Sequence, residues 1–210
     1  MQRARSEAAK DTRRQALLTA ALDEFFERGF AAARMDDIAR RAGLSKGTLY
    51  LYFDSKEALF ASLIETFALP NVERLEAAAA AAQGAAEAIR AMMRLAPFLV
   101  RESPVPKIVK ILISDALVFP DLVAAYRKTV IERVLSIIAG LLQKAHDAGE
   151  ISIRDPHLTA RLIVAPVMLS AVWRVVFERD AEAQVDLDAL FAAHEEMLMR
   201  GLGVRQGVAS

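Results

Sequence analysis

The chain has no cysteine among its 210 residues. A disulfide framework and any thiolate metal site are therefore excluded. Strand signals are nearly missing as well: there are no alternating β-branched runs and few Gly or Asn turn pairs. The three histidines, His146, His157 and His194, show no metal-ligand spacing and are read as surface or capping residues. A nucleophile elbow, a P-loop and a dinucleotide fingerprint are also lacking. Acid pairs such as Asp36-Asp37 and Glu195-Glu196 are adjacent, so they point to different faces of a helix. These absences leave no catalytic residue, metal or cofactor to nominate. The most apolar run, Leu162 to Trp173, is flanked by Arg161 and Arg174. It falls short of the ~20 residues that a bilayer requires. The first residues, MQRARSEAAKDTRRQ, are charged and lead into no apolar stretch of the signal-peptide kind. A cytoplasmic protein with no membrane partner is expected.

The net charge is +0, so the chain as a whole does not advertise a polyanion partner. Its distribution is more informative. Residues 1–56 carry 11 Lys/Arg against 8 Asp/Glu, while the remaining 154 carry 16 against 19. A mildly basic head on a mildly acidic body is the pattern of a nucleic-acid reader, though the asymmetry is small.

What is present is helical periodicity. Thr12 and Gln15 are spaced as a capping box, which predicts that the first helix starts at Thr12. Leu18, Leu22 and Phe25, with Ala21 and Phe26 beside them, form its apolar stripe, and Gly29 suits its end. A second helix is expected over about 35–42, with Asp36 and Asp37 in its first turn, where acidic groups favour the helix dipole. Gly43 breaks it, Leu44 anchors the turn and Ser45 caps a third helix over 46–52. Phe53 plugs the small core. Asp54 or Ser55 caps a fourth helix, with Glu57 completing a box to Asp54. Pro70 should kink or end that helix. Further helices are placed at about 85–101, 105–117, 121–148, 156–179 and 186–200, and residues 201–210 are expected to be a disordered tail. The class is all-α.

Residues 38–60 therefore read as a short helix, a tight glycine turn, a second short helix and the start of a third. This is the layout of a helix-turn-helix. The middle helix carries Ser45, Lys46, Thr48 and Tyr50, side chains suited to phosphates and base edges.

The order Gly29-Phe30, Ile38-Ala39, Ala42-Gly43-Leu44-Ser45-Lys46-Gly47-Thr48-Leu49-Tyr50, Tyr52-Phe53, Ser55-Lys56-Glu57 and Leu59-Phe60 closely resembles the DNA-binding domain of the TetR/AcrR-type helix-turn-helix transcriptional regulators. The resemblance implies an N-terminal three-helix DNA-binding domain at 11–71, with its motif at about 34–53. It implies a helical effector-binding and dimerisation domain at 72–200. It further implies a homodimer, paired through the two C-terminal helices, that binds a palindromic operator in double-stranded DNA. Carried over by position, Ser45, Lys46, Gly47, Thr48, Leu49, Tyr50, Tyr52 and Lys56 form the DNA-facing set. Gly47 permits close approach, and Lys56 meets a phosphate at a helix N-terminus. Leu49 is read equally as a thymine-methyl contact or as core. Ala33 and Arg34 stand where the family commonly has Thr followed by Ser or Thr. The hydroxyl cap of the second helix is therefore missing, and Arg34 is assigned to the DNA set as a replacement phosphate contact by charge.

In the body, Met92, Met93, Phe98, Ile111, Leu117, Met168, Trp173 and Phe177 lie on helices expected to surround one interior. They line either an apolar effector pocket or an ordinary core. A pocket of that kind takes a hydrophobic or amphipathic small molecule. The stretches Pro156–Phe177 and Leu187–Leu198 are too apolar for a free surface, and pairing across a two-fold axis is the economical explanation. The expected function is a ligand-responsive repressor released from its operator by the small molecule. The competing readings are a DNA-binding regulator without an effector and a helical ligand-binding enzyme.

Overall fold

The structure, a computed structural model, describes residues 2–178 and 180–204. Among these the chain is all-α, with no strand. The helices are α1 (Gln2–Ala32), α2 (Met35–Arg41), α3 (Lys46–Tyr50), α4 (Lys56–Phe67), α5 (Leu69–Ala81), α6 (Ala85–Arg101), α7 (Val105–Asp115), α8 (Pro120–Tyr126), α9 (Glu132–Asp147), α10 (Pro156–Val176) and α11 (Leu187–Gly201). Two compact units emerge. One gathers α1–α4 with the later segment Lys107–Ala125, and the other gathers Leu69–Pro106 with the chain from Tyr126 onward.

Several local expectations change. The first helix begins ten residues before Thr12, whose hydroxyl donates to the Ala8 carbonyl at 2.8 Å as a mid-helix side chain. The capping box is thus replaced by back-bonding to the preceding turn. Arg14 sits over the Phe53 ring at 5.8 Å and donates to the Thr66 hydroxyl at 3.4 Å. Ser55, not Asp54, caps α4, accepting the Ala58 N–H at 3.1 Å. The expected 121–148 helix divides into α8, a π turn at Arg127–Ile131 and α9. Tyr126, just before that turn, is buried, and burial pushes its phenol up to about 12. The supposed tail is ordered at least to Val204. Leu202 is buried in the core, and its carbonyl accepts the Ser152 N–H at 3.0 Å. Residues 205–210 lie outside the described residues.

The first unit is built round three aromatic rings. Phe25, Phe30 and Phe60 are fully buried, with centroids 5.0, 6.1 and 5.8 Å apart, and Phe119 meets Phe30 edge-on at 4.9 Å. Leu17, Leu18, Ile38, Leu59 and Leu63 fill the rest. The stripe read from the sequence includes a buried acid it did not anticipate. Glu24 is 2% exposed and is paired with Arg28 at 3.0 Å and Arg41 at 3.3 Å. Arg41 also clamps Glu27, and that hydrogen bond holds the Glu27 carboxyl below its ordinary range. These pairs tie α2 to α1.

In the second unit, α6 and α9 supply Ile89, Met92, Met93, Ile138 and Leu142, and α10 and α11 supply Ala160, Ile163 and Phe191. Asp155 and Asp186 cap α10 and α11 through their carboxylates. The apolar run thought too short for a bilayer is part of α10, whose 21 residues are long and apolar enough to cross one by length and composition. Little of it is buried within the single chain.

Phe30 has aromatic neighbours on three sides, so truncating it opens a cavity that the surrounding rings cannot close. Phe30→Ala is expected to lower unfolding free energy by roughly 3–5 kcal/mol, measured by urea denaturation. A loss below about 1 kcal/mol would show that the cluster tolerates repacking.

Candidate nucleic-acid interface

The turn between α2 and α3 is set by Gly43. Its φ of +68° is the left-handed conformation that closes a helix. The Gly43 N–H reaches the Arg40 carbonyl at 3.0 Å and the Leu44 N–H reaches the Ala39 carbonyl at 3.0 Å. These two bonds form a Schellman closure. Ser45 then caps α3: its Oγ accepts the Thr48 N–H at 3.1 Å and lies 2.8 Å from the Thr48 hydroxyl. Five residues make the helix proper, fewer than the seven expected. Its hydrogen bonding runs on, with the Tyr52 and Phe53 N–H groups both donating to the Leu49 carbonyl.

One residue anchors this small helix. Leu49 is 0% exposed, so it belongs to the core and leaves the DNA-facing set. A methyl group sealed in the head has no route to a base edge. Leu51, two residues on, is 84% exposed and was not singled out from the sequence. Leucines two apart on a helix point to different sides, and only the tertiary packing shows which one is outside.

The remaining set divides by exposure. Ser45, Lys46, Gly47 and Tyr50 are exposed, and Thr48 and Tyr52 are half-buried. The Lys46 ammonium is 2.9 Å from an Asp36 carboxylate oxygen and 5.9 Å from the Tyr50 ring centroid. The hydrogen bond that Lys46 donates to Asp36 raises the Lys46 pKa, so the lysine remains a cation. Asp36 is an acid within reach of the recognition surface. Arg34 is exposed in extended backbone at φ −117°, at the N-cap of α2, and makes no side-chain cap bond. The absent cap is thus seen directly.

Lys56 is differently occupied from its sequence reading. Its ammonium donates to the carbonyls of Phe30 at 2.8 Å and Ala31 at 3.1 Å, and stands 5.0 Å from the Phe30 ring centroid. Two of its three N–H donors are therefore engaged inside the head, and one is left for a phosphate.

The eight effector candidates are divided between the two units. Ile111 and Leu117 belong to the first unit, where Ile111 is buried and Leu117 is 98% exposed. In the second unit, Met92 and Met93 are core, Met168 is half-buried and Phe98 lies on the surface under Arg74, 5.2 Å away. Trp173 and Phe177 meet at a tilt, centroids 5.1 Å apart, at the exposed end of α10, and the Trp173 indole donates to the Ala183 carbonyl at 2.7 Å. Among the described residues no cluster of His, Asp and Glu is arranged to hold a metal.

Known proteins share this arrangement. Residues 17–63 match the model for bacterial regulatory proteins of the tetR family, and residues 87–194 match that for the C-terminal domain of AefR-like transcriptional repressors. The second match alone covers half of the chain. The flavonoid-responsive regulator FrrA is 30% identical, with a TM-score of 0.59, over 90% of this chain and 96% of its own. SmeT, the repressor of the Stenotrophomonas maltophilia efflux pump SmeDEF, was solved with triclosan bound. That structure has the same fold at a TM-score of 0.74 and 23% identity, over 94% of each chain. The transcriptional regulator YdgC of Bacillus subtilis (strain 168) is 50% identical over 54 residues, 26% of this chain and 28% of YdgC. This chain thus matches little more than a quarter of that relative's length. On the two family matches and FrrA, the chain belongs to the TetR family of transcriptional regulators, with a C-terminal domain of the AefR-like repressor type.

Proposed function

We propose that the protein is a ligand-responsive repressor that binds a near-palindromic operator as a homodimer and leaves it when a hydrophobic or amphipathic small molecule binds the body. In this reading residues 11–71 read DNA, and residues 72–200 bind effector and pair the subunits. It acts in the cytoplasm and does no catalysis. One observation carries the reading: α3 rests on a fully buried Leu49 and turns Ser45, Lys46 and Tyr50 to solvent. A five-residue helix with a single apolar anchor makes a poor core element and a good groove probe. Leu51 joins the set by exposure, and its methyl groups suit a thymine methyl.

The dimer face is supported by spacing. Leu158, Leu162, Leu169, Trp173 and Val176 are exposed along α10, separated by 4, 7, 4 and 3 residues. On α11, Leu190 and Met197 are exposed 7 apart. Heptad-like spacing places such side chains along one seam, as helix pairing requires. Trp173 and Phe177 are therefore reassigned from the effector pocket to this seam. A seam partner also accounts for the apolar length of α10 without a membrane, since Arg161 and Arg174 would otherwise enter the bilayer core. Effector binding is supported by analogy with SmeT and FrrA. A ligand releases DNA only by preferring the released state.

Selection of bound duplexes from a random DNA pool tests the operator reading. Enrichment of a palindrome with half-sites about one turn, ~34–36 Å, apart is expected. Recovery of unrelated sequences would remove the repressor reading. Lys46→Ala should weaken operator and random duplexes alike and reduce the slope of log K against log salt by about 0.9. An unchanged slope would show that Lys46 stays with Asp36 on DNA. Leu169→Arg should convert the dimer to a folded monomer in sedimentation velocity, because a charge in an apolar seam lacks a partner. A dimer that survives would place the interface elsewhere.

A further inference from the structure

The missing cap of α2 leaves a physical question: what holds the start of that helix? Its first turn is closed only by backbone. The Asp37 and Ile38 N–H groups both donate to the Arg34 carbonyl, at 3.0 and 3.1 Å. No side chain from Ala33 or Arg34 contributes. The orientation of Arg34 therefore depends on the residues before it.

Those residues follow a break. Gly29 has φ +81° and ψ 158°, which interrupts α1 and leaves a single helical turn, Phe30–Ala32, beyond it. The break frees the N–H groups of Phe30 and Ala31 from the α1 ladder, and they need partners. Both are taken by one carboxylate 85 residues away: Phe30 N–H donates to Asp115 Oδ2 at 2.9 Å and Ala31 N–H to Oδ1 at 3.3 Å. Asp115 is 5% exposed, and its two oxygens are matched one to each amide. Lys56 takes the carbonyls of the same two residues, Phe30 and Ala31. α7 adds Lys110, which donates to the Phe26 carbonyl just before the break, and Lys107, which pairs with Asp23 at 2.7 Å. Segment 107–115 thus grips α1 on both sides of its interruption.

We propose that Asp115 is a positioning residue for DNA recognition: by holding the Phe30–Ala31 turn it does from a distance what a side-chain cap on α2 would do locally. The inference rests on the DNA-reading function of α3. The turn Phe30–Ala32 leads through Ala33 and Arg34 straight into α2, and the Gly43 closure passes the orientation of α2 to α3. Charge-assisted bonds donated to a buried carboxylate are strong and directional, so they define a single placement where the local sequence does not. If this is right, a restored local cap makes Asp115 partly redundant.

The test is a double-mutant cycle on the full chain. Asp115→Ala and Asp115→Asn are each made alone and in an Arg34→Ser background, which supplies a hydroxyl at the N-cap. Operator and random-duplex affinity, thermal midpoint and hydrogen exchange at Asp37 and Ile38 are read together. Asp115→Ala is expected to weaken operator binding about tenfold at temperatures where the protein stays folded. Random-duplex binding should change much less, and exchange at Asp37 and Ile38 should quicken. Asp115→Asn, which keeps one acceptor oxygen, should lie between. In the Arg34→Ser background the loss from Asp115→Ala should shrink to about threefold or less. Equal losses in both backgrounds would overturn the proposal, as would parallel weakening of operator and random DNA, which marks only a smaller folded fraction. If the unsubstituted protein selects no operator, the function reading fails on its own. Exchange at Asp37 and Ile38 then decides the role of Asp115 in placing α2, unchanged exchange overturning it.

Discussion

A helix interrupted inside a packed unit exposes peptide groups that water does not reach, and every such group needs a partner. In this protein the interruption is at Gly29, and the partners come from elsewhere in the chain. Asp115 takes two N–H groups, Lys56 two carbonyls and Lys110 a third. The aromatic cluster of Phe25, Phe30 and Phe60 is assembled on the same turn, with Phe119 arriving alongside Asp115 from the later segment. Polar satisfaction and apolar packing thus converge on one short stretch. The direction in which the chain leaves it sets where α2 begins.

From there the reading head follows economically. Glu24, buried against Arg28 and Arg41, ties α2 to α1. Gly43 turns the chain, and Ser45 caps a helix too short to hold itself in isolation. Leu49 supplies the anchor, so the rest of α3 is free to be polar. Asp36 beside Lys46 adds a restraint, since a phosphate must compete with a carboxylate already in place for that ammonium. A lysine so held contributes less to indiscriminate attraction than a free one.

The second unit is organised differently. Its core is made by α6, α9, α10 and α11, mostly through small and aliphatic side chains with Phe191 among them, while other large apolar groups on α10 and α11 stay outside it. That division leaves the last helices with one face inside the subunit and an apolar face outside it.

Interactions that close within a few residues were legible from sequence alone. The all-α class, the Gly43 turn, the Ser45 cap and the α6 limits at 85–101 follow from periodicity and spacings of three or four residues, and the family resemblance in the head from the order of particular residues. The same locality explains the misreadings. Thr12 has the spacing of a cap, but α1 starts earlier. Leu49 and Leu51 are equivalent in composition and opposite in burial. Lys56 has the position of a phosphate contact, while its ammonium is held by carbonyls some 25 residues back in the chain. Residues 201–204 looked like tail, yet Leu202 is held in a core assembled from α6, α9 and α10. Asp115 carried no signal whatever, because its partners are backbone amides 84 and 85 residues away and any residue type presents the same N–H. The sequence by itself determined which segments coil and which short helix is polar enough to meet DNA. The tertiary structure alone decided which side chains replace the missing caps, because a backbone group does not encode its partner.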